Sequence, residues 1–406
     1  MRLPPIWQVI PGRSREAFKW DAVAGFLTGI FFGALFPFLG VIARRDLGAS
    51  AFIIAALTAA WSVGNLFCPL TAHYIRGRAK LPYVVWPSAL GRACYALIAL
   101  AVVAPSFVAI CVVAAVITAQ SSPAYAAVIR DAYPAERRGM LMGMVRVLMV
   151  AGSIIGALAG GFALDRVSYR YVFPVFAAIG VVGILAFSRI GVRAEPEDSG
   201  TAPARVGDGF RALATNRRFR LYAACFFLYG LGNLLMMPVI PVFQVDTLNI
   251  STRWVSYLAT SASVLGMIGY LFWGRYLDRH GPFRLLLSVI AVATIAPITY
   301  YLAQEVPVLM IAAAAQGLAG AGGELAYINA AMRFGPREAV VSYAGLFAFL
   351  QAIRGIPGPF IGAALSNSFG PRFVFLVALG CWALSVTILL VGGGLRAGMK
   401  EDGPAG

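Results

Sequence analysis

The sequence predicts an all-α membrane protein: twelve transmembrane helices in two pseudo-symmetric bundles of six, with both termini cytoplasmic. Three observations carry this. Of the 406 residues 60% are apolar and only 12% charged, against roughly 25% charged in a soluble domain. The apolar residues fall in runs of membrane-spanning length, and twelve spans of about 20 residues would use about 240 residues, close to the whole apolar inventory. The two halves of the chain also share identities at one constant offset.

The first six spans are placed at Asp21 to Ile42, Ala51 to Tyr74, Leu81 to Val103, Phe107 to Ile129, Met140 to Leu164 and Tyr171 to Ile190, each apolar run closed by a polar break. A segment rich in charge, Pro, Gly and Ala, residues 191–220, follows as a linker. The second six are Leu221 to Phe243, Val255 to Trp273, Phe283 to Leu302, Val306 to Met332, Val340 to Leu365 and Phe373 to Val391. The domains are thus 1–190, a bundle of six; 191–220, the linker; and 221–406, a second bundle of six.

The offset is 202 residues. Ala124-Tyr125 matches Ala326-Tyr327, Pro134 and Glu136 match Pro336 and Glu338, and Gly156 and Gly160 match Gly358 and Gly362. Arg170, Val172, Phe173 and Val175 match Arg372, Val374, Phe375 and Val377. One register held across helices and loops is the mark of a duplicated half.

The net charge of +16 would suggest nucleic acid in a soluble protein. Here 24 of the 33 Lys and Arg fall in breaks on the side of both termini and the linker, and six on the other. Positive residues are retained inside, so the termini and linker are expected in the cytoplasm and no nucleic-acid partner is needed. No cleavable signal precedes the first span. The five cysteines lie inside apolar runs and read as small hydrophobes. His73 and His280 lack partners at metal spacing and no phosphate-binding loop occurs, so neither a metal nor ATP is expected, and the chain does not read as an enzyme.

The most specific motif is Gly274 to Arg284, GRYLDRHGPFR, with the spacing G-x-x-x-D-R-x-G-x-x-R. On this motif, the helix count and the repeat, the chain resembles the major facilitator superfamily, whose signature loop between helices 2 and 3, repeated between 8 and 9, has this form. Gly274 is read as a close helix approach, Gly281 as a tight turn, and Asp278, Arg279 and Arg284 as a charge cluster that could latch the halves; the plainer reading is a charged loop. The first-half counterpart keeps Arg76, Gly77 and Arg78 but has Tyr74 in place of the Asp and Leu70 in place of the first Gly. Gly152, Gly156 and Gly160 resemble the superfamily's antiporter motif with Ala157 in place of its proline, and Gly358, Pro359 and Gly362 form a second ladder. Both ladders also read as packing seams.

Charges inside a bilayer are costly and usually functional. Arg92, Arg146, Arg354 and Glu324 fall within predicted spans. Glu324 extends a stripe of Gln316, Gly320 and Tyr327 at helical spacing and reads either as a protonatable coupling site or as an ion pair with Arg354 or Arg146. Arg92 and Arg354 read as anchors for an anionic substrate group or as helix locks, and Arg146 as snorkelling to the interface. Asp21, opening the first span, reads as a helix-start acid, with a proton role as the alternative. Gln120, Tyr125, Tyr229, Asn233 and Gln351 are the neutral cavity candidates.

The resemblance implies secondary transport of a small organic solute by alternating access, driven by a proton or other ion gradient without a bound cofactor, in the plasma (inner) membrane. The implied partners are the bilayer, a small-molecule substrate and protons, with the monomer as the working unit. Efflux by proton antiport is the first expectation. Uptake or symport of an organic anion is the second, and a non-transporting sensor or scaffold the third.

Overall fold

The computed structural model describes residues 12–75, 78–134, 137–191, 211, 213–334 and 349–391. Among these every regular element is helical. Residues 192–210, most of the expected linker, lie outside the described set, as do Arg76 and Gly77 of the first loop motif and much of the eleventh expected span.

Numbered in chain order, the helices are α1 Gly12–Arg45, α2 Ala51–Tyr74, α3 Leu81–Cys94, α4 Ala104–Ala119, α5 Ser122–Ala132, α6 Arg138–Leu164 and α7 Tyr169–Phe187. There follow α8 Arg217–Met236, α9 Val239–Asp246, α10 Thr252–Ala293, α11 Ile295–Leu302, α12 Leu309–Phe334, α13 Pro357–Phe369 and α14 Pro371–Val391. Ten stretches among the described residues are long and apolar enough to cross a membrane. One of them, Thr252–Leu302, has 51 residues, more than twice what a crossing requires. It turns at Gly281, whose φ of 73° and ψ of 173° is a backbone region open essentially only to glycine.

Breaks inside the expected spans follow their prolines, which have no amide hydrogen and clash with the preceding turn. The fourth span parts at Gln120–Ser121, ahead of Pro123, into α4 and α5, and the seventh parts at Met237–Pro238 into α8 and α9. Pro tolerates the first turn of a helix, so each proline restarts the element it interrupted. Gly370, at φ 86°, stops α13 one residue before Pro371 opens α14.

The described residues form two compact units within the ranges Met1–Ala49, Ala60–Asp198 and Ser251–Thr260 for the first, and Ser50–Ala59, Ser199–Ile250 and Ser261–Gly406 for the second. The first turns of α2 and of α10 therefore each group with the unit that does not hold the rest of their helix. Large apolar side chains stand bare on both units: Trp86 is 70% exposed, Leu100 76% and Val391 80%. Such surface is unfavourable in water and ordinary against acyl chains.

In lipid the hydrophobic effect does not drive helices together; close backbone packing does. In the first unit α1 and α6 interlock through glycine. A Cβ on Gly152, Gly156 or Gly160 would press on the carbonyl oxygens of Phe26, Ile30 and Ala34, and one on Gly29 or Gly33 on those of Met149 and Ser153. In the second unit Gly362 lies on the carbonyl of Leu235, Gly358 has the Leu234 side chain 3.1 Å from its Cβ position, and Pro359 between them is buried. The paired glycines of the 202-residue repeat thus seat equivalent helices, α6 on α1 and α13 on α8.

Candidate functional site

Asp21 lies inside α1 and is 3% exposed. This corrects the reading of a helix-start acid: α1 begins at Gly12, so Asp21 lies in its third turn, within an apolar cluster that includes Phe18, Val128, Val145 and Phe187. The hydroxyl of Tyr133, itself buried, donates to Asp21 Oδ2 at 2.5 Å. Among the described residues this is the only polar partner shown for the carboxyl group, and it carries no positive charge. Tyr125 stacks near Phe187, with ring centres 5.6 Å apart, and stands within electrostatic reach of Asp21 and Arg146; the Arg146 side chain is exposed.

Further along α1, Phe31, Phe32 and Phe36 form an aromatic cluster with Tyr95, with ring centres 4.8 to 6.2 Å apart. Phe36 is exposed. Arg92, only 6% exposed, lies 5.6 Å from the Phe31 ring centre and donates through Nη1 to the carbonyl of Gly180 at 2.6 Å. Its Nε has no partner among the described residues. Gln120 ties α2 to α4: its amide nitrogen donates to the carbonyls of Gly64 and Val116, and its oxygen accepts from Thr71.

Also in the first unit, Asp165 at the end of α6 accepts from Thr252 and pairs with Arg253, both in the opening turn of α10. Gly161 makes room there, since its Cβ would lie 2.6 Å from that of Ser256.

In the second unit Glu324 is exposed on α12 and accepts a hydrogen bond from the Tyr270 hydroxyl. Gln316, Gly320 and Glu324 grow more exposed along one face of the helix; Tyr327, the last of the expected stripe, has its side chain outside the described set. Arg354 is 4% exposed and donates through Nη1 to the carbonyls of Phe226, at short range, and Phe227, at 2.9 Å, with its charge 4.7 Å from the Phe226 ring centre. The ion pair of Glu324 with Arg354 is not formed. Gly230 creates the seat: a Cβ there would overlap the guanidinium carbon.

Tyr229 is buried against Trp382, whose indole N–H donates to the Tyr229 carbonyl at 2.8 Å, and Asn233 donates to the same oxygen. Tyr229 faces α12 as well, its ring edge 3.4 Å from where a Cβ on Gly323 would stand. Gln351 is exposed.

At the loop motif Gly281 makes the expected turn, while two other expectations need correction. No described atom lies within 4 Å of a Cβ on Gly274, so the close approach is made elsewhere, at Gly317 on Ala262. Asp278, Arg279 and Arg284 form no ion pair among the described residues, and Asp278 and Arg279 are exposed. In the first-half loop Arg78 lies 3.9 Å from the Tyr74 ring centre and donates to the Tyr83 hydroxyl. Tyr74, standing where the other loop has Asp278, thus meets its arginine through its ring. The Tyr83 oxygen, and after it Tyr74, holds the Arg78 guanidinium above its ordinary pKa.

Several of these partners had no signal in the spacing: Tyr133, Tyr270, Gly230 and Asp165 acquire their roles only by contact across helices. Gly29 and Gly33 did have one, the four-residue small-residue spacing of a close helix seam.

Described residues whose regular elements are all helical, with apolar flanks, glycine-seated helix pairs repeated in two units and buried polar side chains within each, define a polytopic membrane fold. The sequence profile described as the Major Facilitator Superfamily matches residues 22–359, and the chain belongs to that family of membrane transporters, which are not enzymes. Among its relatives are the MFS-type transporter YuxJ of Bacillus subtilis, itself uncharacterized, 27% identical over 63% of this chain and 66% of that one, and an MFS-type efflux pump of Mycolicibacterium smegmatis, 24% identical over 67% and 64%. The match therefore spans just under two thirds of the length of these relatives. The crystal structure of the nucleoside transporter NupG superposes with a TM-score of 0.72 at 13% identity, covering 93% of this chain and 98% of that one; it is a likeness of fold.

Proposed function

We propose that this transporter is a proton-driven exporter of small amphipathic solutes, working by alternating access in the plasma (inner) membrane with its basic ends towards the cytoplasm. The observation that carries the proton coupling is the Asp21 carboxyl group, buried and bonded to one neutral hydroxyl, that of Tyr133. A carboxyl group held this way gains or loses a proton without breaking an ion pair. Glu324, exposed and accepting from Tyr270, is the second carboxyl group of this reading. Export of an amphipathic solute is supported by the efflux pump among the relatives and by the aromatic cluster of Phe31, Phe32, Phe36 and Tyr95, whose exposed member, Phe36, offers a ring to apolar and cationic groups. Uptake of an organic anion has less support, because Arg92 and Arg354 are buried and each turns its Nη1 to helix carbonyls.

The test is transport of a fluorescent lipophilic cation in proteoliposomes under an imposed pH gradient, comparing the native chain with Asp21→Asn and Glu324→Gln. Each substitution is expected to cut gradient-driven flux at least tenfold while gradient-free exchange persists. Full gradient-driven accumulation in both variants would refute the coupling.

A further inference from the structure

One face of α10 holds a groove of about 440 Å³ that no transport role uses, lined by Ile268, Leu271, Phe272, Arg275, Tyr276, Arg279 and His280. These positions recur at steps of three and four, so they form a single stripe along one helix. The stripe is ordered by chemistry. Ile268, Leu271 and Phe272 are exposed apolar residues, and the basic and aromatic residues follow one to two turns on.

Arg275 and Arg279 are both exposed, and neither makes a hydrogen bond or ion pair shown among the described residues. They are one helical turn apart, about 6 Å along the axis, within reach of a single phosphodiester or two adjacent ones. Between them the surface is fixed: the His280 ring stacks on Tyr276 with centres 4.3 Å apart, its Nδ1 donates to the Tyr276 carbonyl at 3.2 Å, and Ser288 donates to the Tyr276 hydroxyl at 3.0 Å. With Nδ1 so engaged, His280 has its other ring nitrogen left to face a ligand. Asp278 lies at the margin of the stripe on the same helix and pairs with neither arginine.

We propose that this stripe binds an anionic phospholipid, the acyl chain lying along Ile268, Leu271 and Phe272 and the headgroup phosphate held by Arg275 and Arg279. Charge complementarity selects the occupant: two unpaired guanidinium groups set directly above exposed apolar side chains match a negative phosphate joined to a hydrocarbon tail, and basic residues at this depth attract anionic lipid. A soluble phosphate would make no use of the apolar half, and a neutral lipid none of the arginines. The inference needs only that the chain sits in a bilayer, and stands apart from the transport reading.

The test is native mass spectrometry of the full chain purified in detergent, titrated with phosphatidylglycerol or phosphatidylcholine of the same acyl composition. Phosphatidylglycerol should bind about tenfold more tightly. Arg275→Ala with Arg279→Ala should remove that preference, Arg275→Lys with Arg279→Lys should restore most of it, and Arg170→Ala, an exposed arginine elsewhere, should leave it intact. Equal retention of the two lipids, a preference surviving the double alanine variant, or displacement of phosphatidylglycerol by millimolar inorganic phosphate would each overturn the proposal.

Discussion

The seam between α1 and α6 positions both Asp21 and the aromatic cluster, and it can be tested glycine by glycine. A Cβ added to Gly156 would lie 2.8 Å from the Cα and carbonyl carbon of Ile30, and closer still to its oxygen. Carbon atoms pack at about 3.5 to 4.0 Å, so the two backbones must part by roughly 0.7 Å or more. Overpacking of this kind costs about 1–3 kcal/mol, while replacing helical Gly by Ala returns about 1 kcal/mol of backbone entropy. Gly156→Ala should therefore lose up to about 2 kcal/mol. At Gly160 the nearest atoms of Ala34 stand 2.9, 3.0 and 3.3 Å away, a milder conflict, and the two effects should nearly cancel. Gly143, on the same helix, has no described atom within 4 Å, so Gly143→Ala should gain up to about 1 kcal/mol. Equilibrium unfolding of the three variants in mixed micelles with a denaturing detergent reads these differences directly. If Gly156→Ala proves as stable as Gly143→Ala, backbone contact at this seam is not what holds α6 on α1.

Two further outcomes follow from local geometry. Gly281→Ala places a side chain at φ 73°, ψ 173° and should cost about 1–3 kcal/mol, seen in the same unfolding assay, whereas Gly139→Ala, with open space around it, should be neutral or stabilising. Gly230→Ala should evict the Arg354 guanidinium from its carbonyls; the freed arginine should then react with a guanidine-modifying dicarbonyl reagent that leaves it untouched in the native chain, and continued protection in the variant would refute the seat.

Much of this molecule can be read from its residues in order. The apolar inventory, run lengths and 202-residue register specify a duplicated helical membrane protein, because a bilayer requires each spanning segment to satisfy its own backbone hydrogen bonds. The Gly281 turn and the glycine ladders are equally legible, since each depends on the absence of a Cβ at a fixed spacing. The proline breaks at Pro123 and Pro238 were there to be read as well, but the apolar runs on either side masked them.

Partnership is different. Glu324, read either as a protonatable site or as an ion-pair partner of Arg354 or Arg146, receives the hydroxyl of Tyr270, while Arg354 turns to the carbonyls of Phe226 and Phe227. Asp21, read as a helix-start acid, is buried under Tyr133, 112 residues away. Periodicity tells which face of a helix a residue occupies and leaves open which neighbour that face meets, or how that helix is rotated against it. The sequence by itself therefore determined the bilayer, the helices and their duplication, all of which follow from composition and local spacing. Tertiary structure alone decided which buried carboxyl and guanidinium groups find hydroxyls and carbonyls, because a buried polar group must bond whatever close packing brings within about 3 Å.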